Sequence, residues 1–223
     1  MNMITSTLSN VKICYNKKGD EMRYLKEKTV HQFEVNKSIF IGILYPLSDK
    51  DDIDFYLEDA KASYPKANHY CFASIFGEHG EHMRASDDGE PQRTAGIPIL
   101  EVLKHKDVTD VLCVVIRYFG GIKLGAGGLV RAYTNSAASV LNDAKFYQKL
   151  LVPAYQISFD YPLIHKMDHL LEEKATITEK QFLDIVTYTF VLNDLDDSFL
   201  EEIKYQLKTI QKLPPKIIHI ESQ

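Results

Sequence analysis

The 21 residues from 111 to 131, VLCVVIRYFGGIKLGAGGLVR, constrain this chain more than any other stretch. They begin with six apolar residues, 111–116, rich in Val and long enough for a strand buried on both faces. Tyr118 and Phe119 follow, then a glycine-rich segment that holds Gly120, Gly121, Gly125, Gly127 and Gly128. From Leu129 the apolar residues recur with a helical period: Leu129, Val130, Tyr133, Ala137, Val140, Leu141 and Ala144 fall on one stripe. Ser136, Ala137, Ala138 and Ser139 are small, which lets such a helix lie close to a sheet. The pattern predicts strand, glycine loop and helix, with the helix starting at Leu129.

Two physical purposes suit this loop. Glycine tolerates positive φ and lets backbone approach backbone, which describes a tight structural turn. A loop feeding a helix N-terminus also presents free N–H groups and partial positive charge to an anion. Arg117, Lys123 and Arg131 would place three cations around it. The common phosphate motifs do not fit. Gly120 and Gly125 have the spacing of a P-loop, but Ala126-Gly127 stands where Lys-Ser/Thr is required. Gly125 and Gly127 begin a dinucleotide fingerprint, but Val130 occupies its third glycine position.

The chain has 223 residues, enough for one large domain or two small ones. No run approaches the ~18 apolar residues of a membrane span, and no charged segment followed by an apolar core marks a secretion signal. Cys14, Cys71 and Cys113 are odd in number and widely spaced, which predicts reduced thiols in a cytoplasm. Residues 152–223 hold 12 acidic and 7 basic side chains, which accounts for the whole net charge of −5. A strongly basic nucleic-acid footprint is missing, so anion binding must come from local clusters.

Residues 1–23 are expected to be an extension, either a frayed terminus or a translated leader, with Met22 as the alternative start. A first domain is expected over 24–150 and a second over 151–223. In the first, strands are predicted at 29–35 and 38–44, a helix from about Ser48 to Ser63, a hairpin of 69–76 with 81–85, and a helix over 97–105 capped by Thr94 or Gly96. In the second, strand 152–161, helix 162–174, strands 175–178 and 184–192 with a turn near 179–182, a helix from Asp196 or Asp197 to Leu207, and strand 216–220 beyond Pro214-Pro215 give the order β-α-β-β-α-β, that of a ferredoxin-like unit.

The polar segment 86–96 carries Asp87, Asp88 and Glu90, which either hold a hard cation such as Mg²⁺ or form a solvated turn. His69, Cys71, His79 and His82 lack the spacing of a zinc site, although alternation puts His69 and Cys71 on one strand face. Ser136 and Ser139 lack the strand-to-helix elbow of a hydrolase nucleophile. His105, between Lys104 and Lys106, reads as part of a helix C-terminal cation group. No general acid–base pair stands out, and no catalytic residue is assigned.

Two segments carry a family resemblance: RASDDGEP at 84–91 followed by TAGIPIL at 94–100, and VVIRYFGGIKLGAGGLVR at 114–131. Together they closely resemble the YigZ/IMPACT family. The resemblance implies an α+β chain of two domains. The N-terminal one would be a ribosomal-protein-S5-domain-2-like, βαβ-rich sandwich. The C-terminal one would be ferredoxin-like, βαββαβ, similar to the last domain of the translocating elongation factor. Eukaryotic members regulate translation initiation by competing for the activator of the kinase that responds to amino-acid starvation; for bacterial members the resemblance implies nucleic-acid or ribosome association. Where the family has Ser-Gly after Glu-Pro, this chain has Gln92-Arg93, and a glycine position needing positive φ would strain Arg93.

The site expected to bind a ligand or nucleic acid therefore comprises Arg117, Tyr118, Phe119, Gly120, Gly121, Lys123, Gly125, Gly127, Gly128 and Arg131, with Arg93 and Thr94. No cofactor is expected. The first functional reading is a cytoplasmic protein that regulates translation by touching RNA or the ribosome. The second is an enzyme or sensor for a phosphorylated small molecule, with a cation on Asp87, Asp88 and Glu90; its sign would be a pocket where the two loops meet. The third is a module that sequesters a protein regulator.

Overall fold

The computed structural model describes residues 22–222, and the question of a start at Met22 turns on residues outside that range. Contacts divide the described residues into one unit of 22–148 with 221–222, and a second of 149–220. The secondary structure is mixed α and β in both units. Among the described residues no helix is long and apolar enough to cross a membrane.

In the first unit the strands are β1 (Arg23–Leu25), β2 (Thr29–Val35), β3 (Ser38–Pro46), β4 (His69–Phe76), β5 (His82–Ser86), β6 (Val108–Thr109) and β7 (Val111–Tyr118). The helices are α1 (Ile53–Ser63), α2 (Gly96–His105) and α3 (Gly125–Asp143). The main sheet has the order β2-β3-β7-β4-β5, and every neighbouring pair in it is antiparallel. The apolar run 111–116 is the centre of this sheet, each of its residues 0% exposed. Alternation decides what each covers. Val111, Cys113 and Val115 join the core formed with α2 and α3, and Leu112, Val114 and Ile116 join the core formed with α1. The close approach expected of α3 is met at Gly42, where a Cβ would lie 3.0 Å from the Ser136 carbonyl oxygen.

The small sheet of this unit pairs β1 with β6 and with residues 146–147, the start of β8 (Phe146–Phe159). Both β1 and β6 are too short to show an alternation in sequence. The domain boundary expected at 150/151 falls within the residues of β8.

In the second unit β8 is followed by α4 (Ile164–Lys174), β9 (Ala175–Phe182), β10 (Val186–Leu192), α5 (Ser198–Ile203) and β11 (Thr209–Ser222). Tyr155, Ile157, Phe159, Tyr188 and Phe190 pack on Met167, Leu171, Phe199 and Leu200 from the two helices. Two expectations are corrected here. The turn placed near 179–182 lies at 183–185, because Phe182 still pairs with Val186. Pro214-Pro215 lies inside β11, which pairs with β8 off the main path of the sheet; a strand paired on one side only tolerates residues that cannot donate to a ladder.

Candidate functional site

Register puts Arg117 under α3. It follows Val111, Cys113 and Val115 on their face of β7, and its cross-strand neighbours are Phe40 on β3 and His69 on β4. The residue is only 5% exposed. Its guanidinium carbon lies 5.6 Å from the Phe40 ring centre and 5.4 Å from that of Phe119. Arg117 Nη1 donates to Glu90 Oε1 at 2.6 Å, and the Tyr133 hydroxyl donates to the same oxygen at 2.8 Å. A buried guanidinium requires such a partner, since desolvation of a lone charge costs several kcal/mol, of order 3–5. Arg117 Nε is left without a hydrogen-bond partner. Arg117, one of the three cations expected around the loop, is a paired, buried charge.

Beneath this pair, Cys71 Sγ donates to the Asp87 carbonyl oxygen at 3.0 Å and lies 3.4 Å from the Tyr133 hydroxyl. Burial pushes the Cys71 and Cys113 thiols up to about 12, so neither offers a thiolate for nucleophilic work. Burial, reinforced by Cys71 and Glu90, also pushes the Tyr133 phenol far above its ordinary value and keeps it a donor. His69 Nδ1 lies 2.8 Å from the Asp88 carbonyl oxygen, which only accepts, so Nδ1 carries a proton. His69 Nε2 lies 3.9 Å from Glu90 Oε1.

The three carboxylates of the acidic segment do not converge. Asp87 accepts from the backbone N–H groups of Arg93, Ala95 and Gly96 at 2.7, 3.0 and 2.9 Å, and so closes the N-terminus of α2. Burial opposes ionisation of Asp87, but these donors outweigh it and hold the carboxyl below its ordinary value. Asp88 Oδ2 accepts from Tyr70 N at 2.6 Å, and Glu90 serves Arg117 and Tyr133. Among the described residues no group of three or more His, Cys, Asp or Glu is placed to hold a metal ion. The reading of a cation held on Asp87, Asp88 and Glu90 is therefore corrected. The expected caps of α2 are corrected too: Thr94 Oγ1 donates to the Pro91 carbonyl at 2.6 Å, and the cap comes from Asp87 instead. Arg93 does take positive φ, +65°, as feared for a side chain at a glycine position.

The glycine segment divides into two parts. Gly120 meets the β2–β3 turn so closely that a Cβ would lie 1.9 Å from the Lys37 carbonyl oxygen, so here backbone approach alone demands glycine. The helix then starts at Gly125 rather than Leu129, which places Gly127 and Gly128 in its first turn. Around Gly121, Gly125 and Gly127 a Cβ would meet nothing within 4 Å. The first turn of α3 has no acidic residue and no side-chain cap. Its opening N–H groups therefore face outward with the positive end of the helix dipole.

The acidic and glycine segments meet at one cavity of about 440 Å³, lined by Asn68, His69, Glu90, Pro91, Arg117, Phe119, Lys123, Leu124, Gly125, Ala126 and Leu129. Of the expected site residues, Arg117, Phe119, Lys123 and Gly125 are on its wall. Gly128 and Arg131 line a separate cavity of about 320 Å³ with Phe33, Asn36 and Asn135. Tyr118 points to the α1 side, where its hydroxyl donates to the Pro65 carbonyl at 3.1 Å. Gly121, Arg93 and Thr94 line neither cavity. Sequence reasoning did not foresee Tyr133 and Glu90 as partners of Arg117. The available signal was a phenol on the apolar stripe of α3, since a buried Tyr hydroxyl requires a partner.

Residues 36–141 match the family model described as the Impact N-terminal domain. IMPACT family member YvyE of Bacillus subtilis (strain 168) is 40% identical over 156 residues, spanning 70% of this chain and 72% of that one. IMPACT family member YigZ of Escherichia coli (strain K12) is 34% identical over 140 residues, spanning 62% of this chain and 69% of that one. A crystal structure described as that of a hypothetical protein aligns with a TM-score of 0.55 at 26% identity, over 87% of this chain and 97% of that one.

Proposed function

This chain belongs to the IMPACT family, and from that premise we propose that it is a binding protein of translation control that touches RNA phosphates through the face built by Lys123 and the start of α3. The observation that carries the reading is the cavity at that helix end. Lys123, an uncapped first turn and the half-exposed ring of Phe119 stand together there. Arg131, on the neighbouring cavity, extends the basic edge along α3. Arg117 acts in this reading as a positioning group held by Glu90, and its removal is a test of stability rather than of contact.

The experiment is co-sedimentation of the full chain with ribosomes on low-salt gradients, beside a folded Lys123→Ala/Arg131→Ala variant. Wild type is expected to pellet with a subunit and the variant to stay at the top. Raising the salt roughly tenfold should release the wild type, because phosphate contacts release counterions. Pelleting that is indifferent to both the variant and the salt would sink the phosphate-contact reading.

A second reading, a binding site for a phosphorylated small molecule, is favoured by the convergence of the two segments on one cavity. The volume is within the roughly 300–1,000 Å³ of ligand pockets. The divergence of Asp87, Asp88 and Glu90 removes the cation from this version.

A further inference from the structure

We propose that the cavity beside Phe119 takes an unpaired nucleobase, stacked on that ring and held at its edge by Asn68 and His69. This rests on the RNA-contact reading above and adds a base to its phosphates. All three residues line the cavity of about 440 Å³, a volume that suits a ligand of nucleoside size.

Two hydrogen bonds settle which atoms the edge offers. Phe119 N donates to Asn68 Oδ1 at 2.8 Å, so the amide oxygen faces the chain and the amide N–H₂ is the part left to a ligand. His69 Nδ1 gives its proton to the Asp88 carbonyl at 2.8 Å, so the neutral ring keeps its lone pair on Nε2. Glu90 Oε1, 3.9 Å from Nε2, already accepts from Arg117 and Tyr133, and a carboxylate has no proton to give. Nε2 is thus an unspent acceptor on a side chain that is 24% exposed. Asn68 is exposed as well. Neighbours in the chain, the two residues present one donor and one acceptor to the same cavity.

Phe119 supplies the stacking surface. Its ring is 45% exposed although it follows directly on the buried strand β7, and the guanidinium carbon of Arg117 lies 5.4 Å from its centre. The bond from Phe119 N to Asn68 ties the backbone that carries the ring to the residue that carries the donor. Stacking tolerates any base, since each has a π face. The edge adds the discrimination. Every base carries a donor beside an acceptor on its Watson–Crick edge, and in a duplex both are taken by the opposite base. The site therefore admits a base of a single strand and refuses one inside a helix.

The test is titration calorimetry on the full chain with four probes: a short single-stranded RNA, the same strand paired with its complement, a ribose-phosphate strand of equal length without bases, and adenosine. The single strand is expected to bind at least about tenfold tighter than the duplex or the abasic strand, the free energy of one stacked base. Phe119→Ala should remove that advantage, and Phe119→Trp should keep it. His69→Asn retains a donor for the Asp88 carbonyl and deletes Nε2. It should weaken the single strand by about fivefold, the loss of one hydrogen bond, and leave the duplex affinity unmoved. A strand that binds more tightly than adenosine assigns the base to RNA, and the reverse order assigns it to a free nucleoside. Equal affinity for single strand, duplex and abasic strand, untouched by Phe119→Ala, overturns the base site and leaves the phosphate-contact reading standing. A single strand whose binding needs Phe119 but ignores salt and Lys123→Ala/Arg131→Ala keeps the base site and sinks the phosphate contact. Failure of all four probes to bind overturns the base site, even for a chain that pellets with ribosomes.

Discussion

The helices α2 and α3 both begin at a glycine in the same unit, yet their N-termini are in opposite electrical states. At Gly96 the end of α2 is closed by the chain itself: Asp87 takes three N–H groups, and a Cβ on Gly96 would lie 2.7 Å from the Ser86 backbone. At Gly125 the end of α3 carries no acidic residue and no side-chain cap, and Gly121, Gly125 and Gly127 face open space. The first terminus has its anion built in. The second has a lysine and a cavity and no acidic residue in its first turn, which is why the functional reading is placed there. A cluster of glycines is thus informative only when the neighbours of each one are known.

The contrast can be broken most severely at the floor of the open end. Arg117→Ala leaves Glu90 buried beside Tyr133 without its cation, and should destabilise the chain by about 3–5 kcal/mol in urea unfolding. Arg117→Leu/Glu90→Leu should recover most of that loss, because the desolvation of both charges disappears with the pair. A double variant no more stable than the single one would show that the pair holds the fold by more than mutual neutralisation.

Uncapping the closed end comes next. Asp87→Ala should cost about 2 kcal/mol, as three N–H groups lose their acceptor. Its ionisation makes this cap acid-labile. The folded value is depressed, so its contribution is fully present above the unfolded value of ~3.9 and is lost as pH falls through the lower folded value. Urea midpoints followed downward from pH about 5 should fall less steeply for Asp87→Asn than for wild type. Identical slopes would mean that the cap does not depend on charge.

The smallest effects differ in sign. Gly96→Ala should destabilise by about 1 kcal/mol or more through overpacking against Ser86. Gly127→Ala, in a helical position with nothing within 4 Å of its Cβ, should stabilise by about 0.5–1 kcal/mol. Thermal midpoints of the two variants measured side by side decide the matter. A loss at Gly127 would reveal a packing role that the open surroundings do not show.

Much of the first unit was legible because its periodicities are long. Strand 29–35 and strand 69–76 match β2 and β4, and the helix expected to end at Ser63 ends there in α1. What failed did so for identifiable reasons. β1 and β6 have too few residues to show a period, and Pro214-Pro215 breaks a strand only where its N–H groups are needed. The start of α3 was misplaced by four residues because glycine was read as loop, while an uncrowded first turn accepts it. In the site, His69 and Cys71 were correctly put on one face by alternation, but no spacing could report that Glu90 crosses to Arg117.

The sequence by itself determined that a wholly apolar strand would be covered on both sides, that a helix with small residues would lie against it, and which family the motif 114–131 resembles, since each follows from local pattern. Only the tertiary structure decided which charges are free. Arg117 and Lys123 read alike in the chain, six residues apart. The pleat of β7 turns the first inward onto Phe40 and Glu90, and the turn before α3 leaves the second exposed on the cavity wall. Charge is a property of a residue, but its availability is set by the partners that folding brings to it.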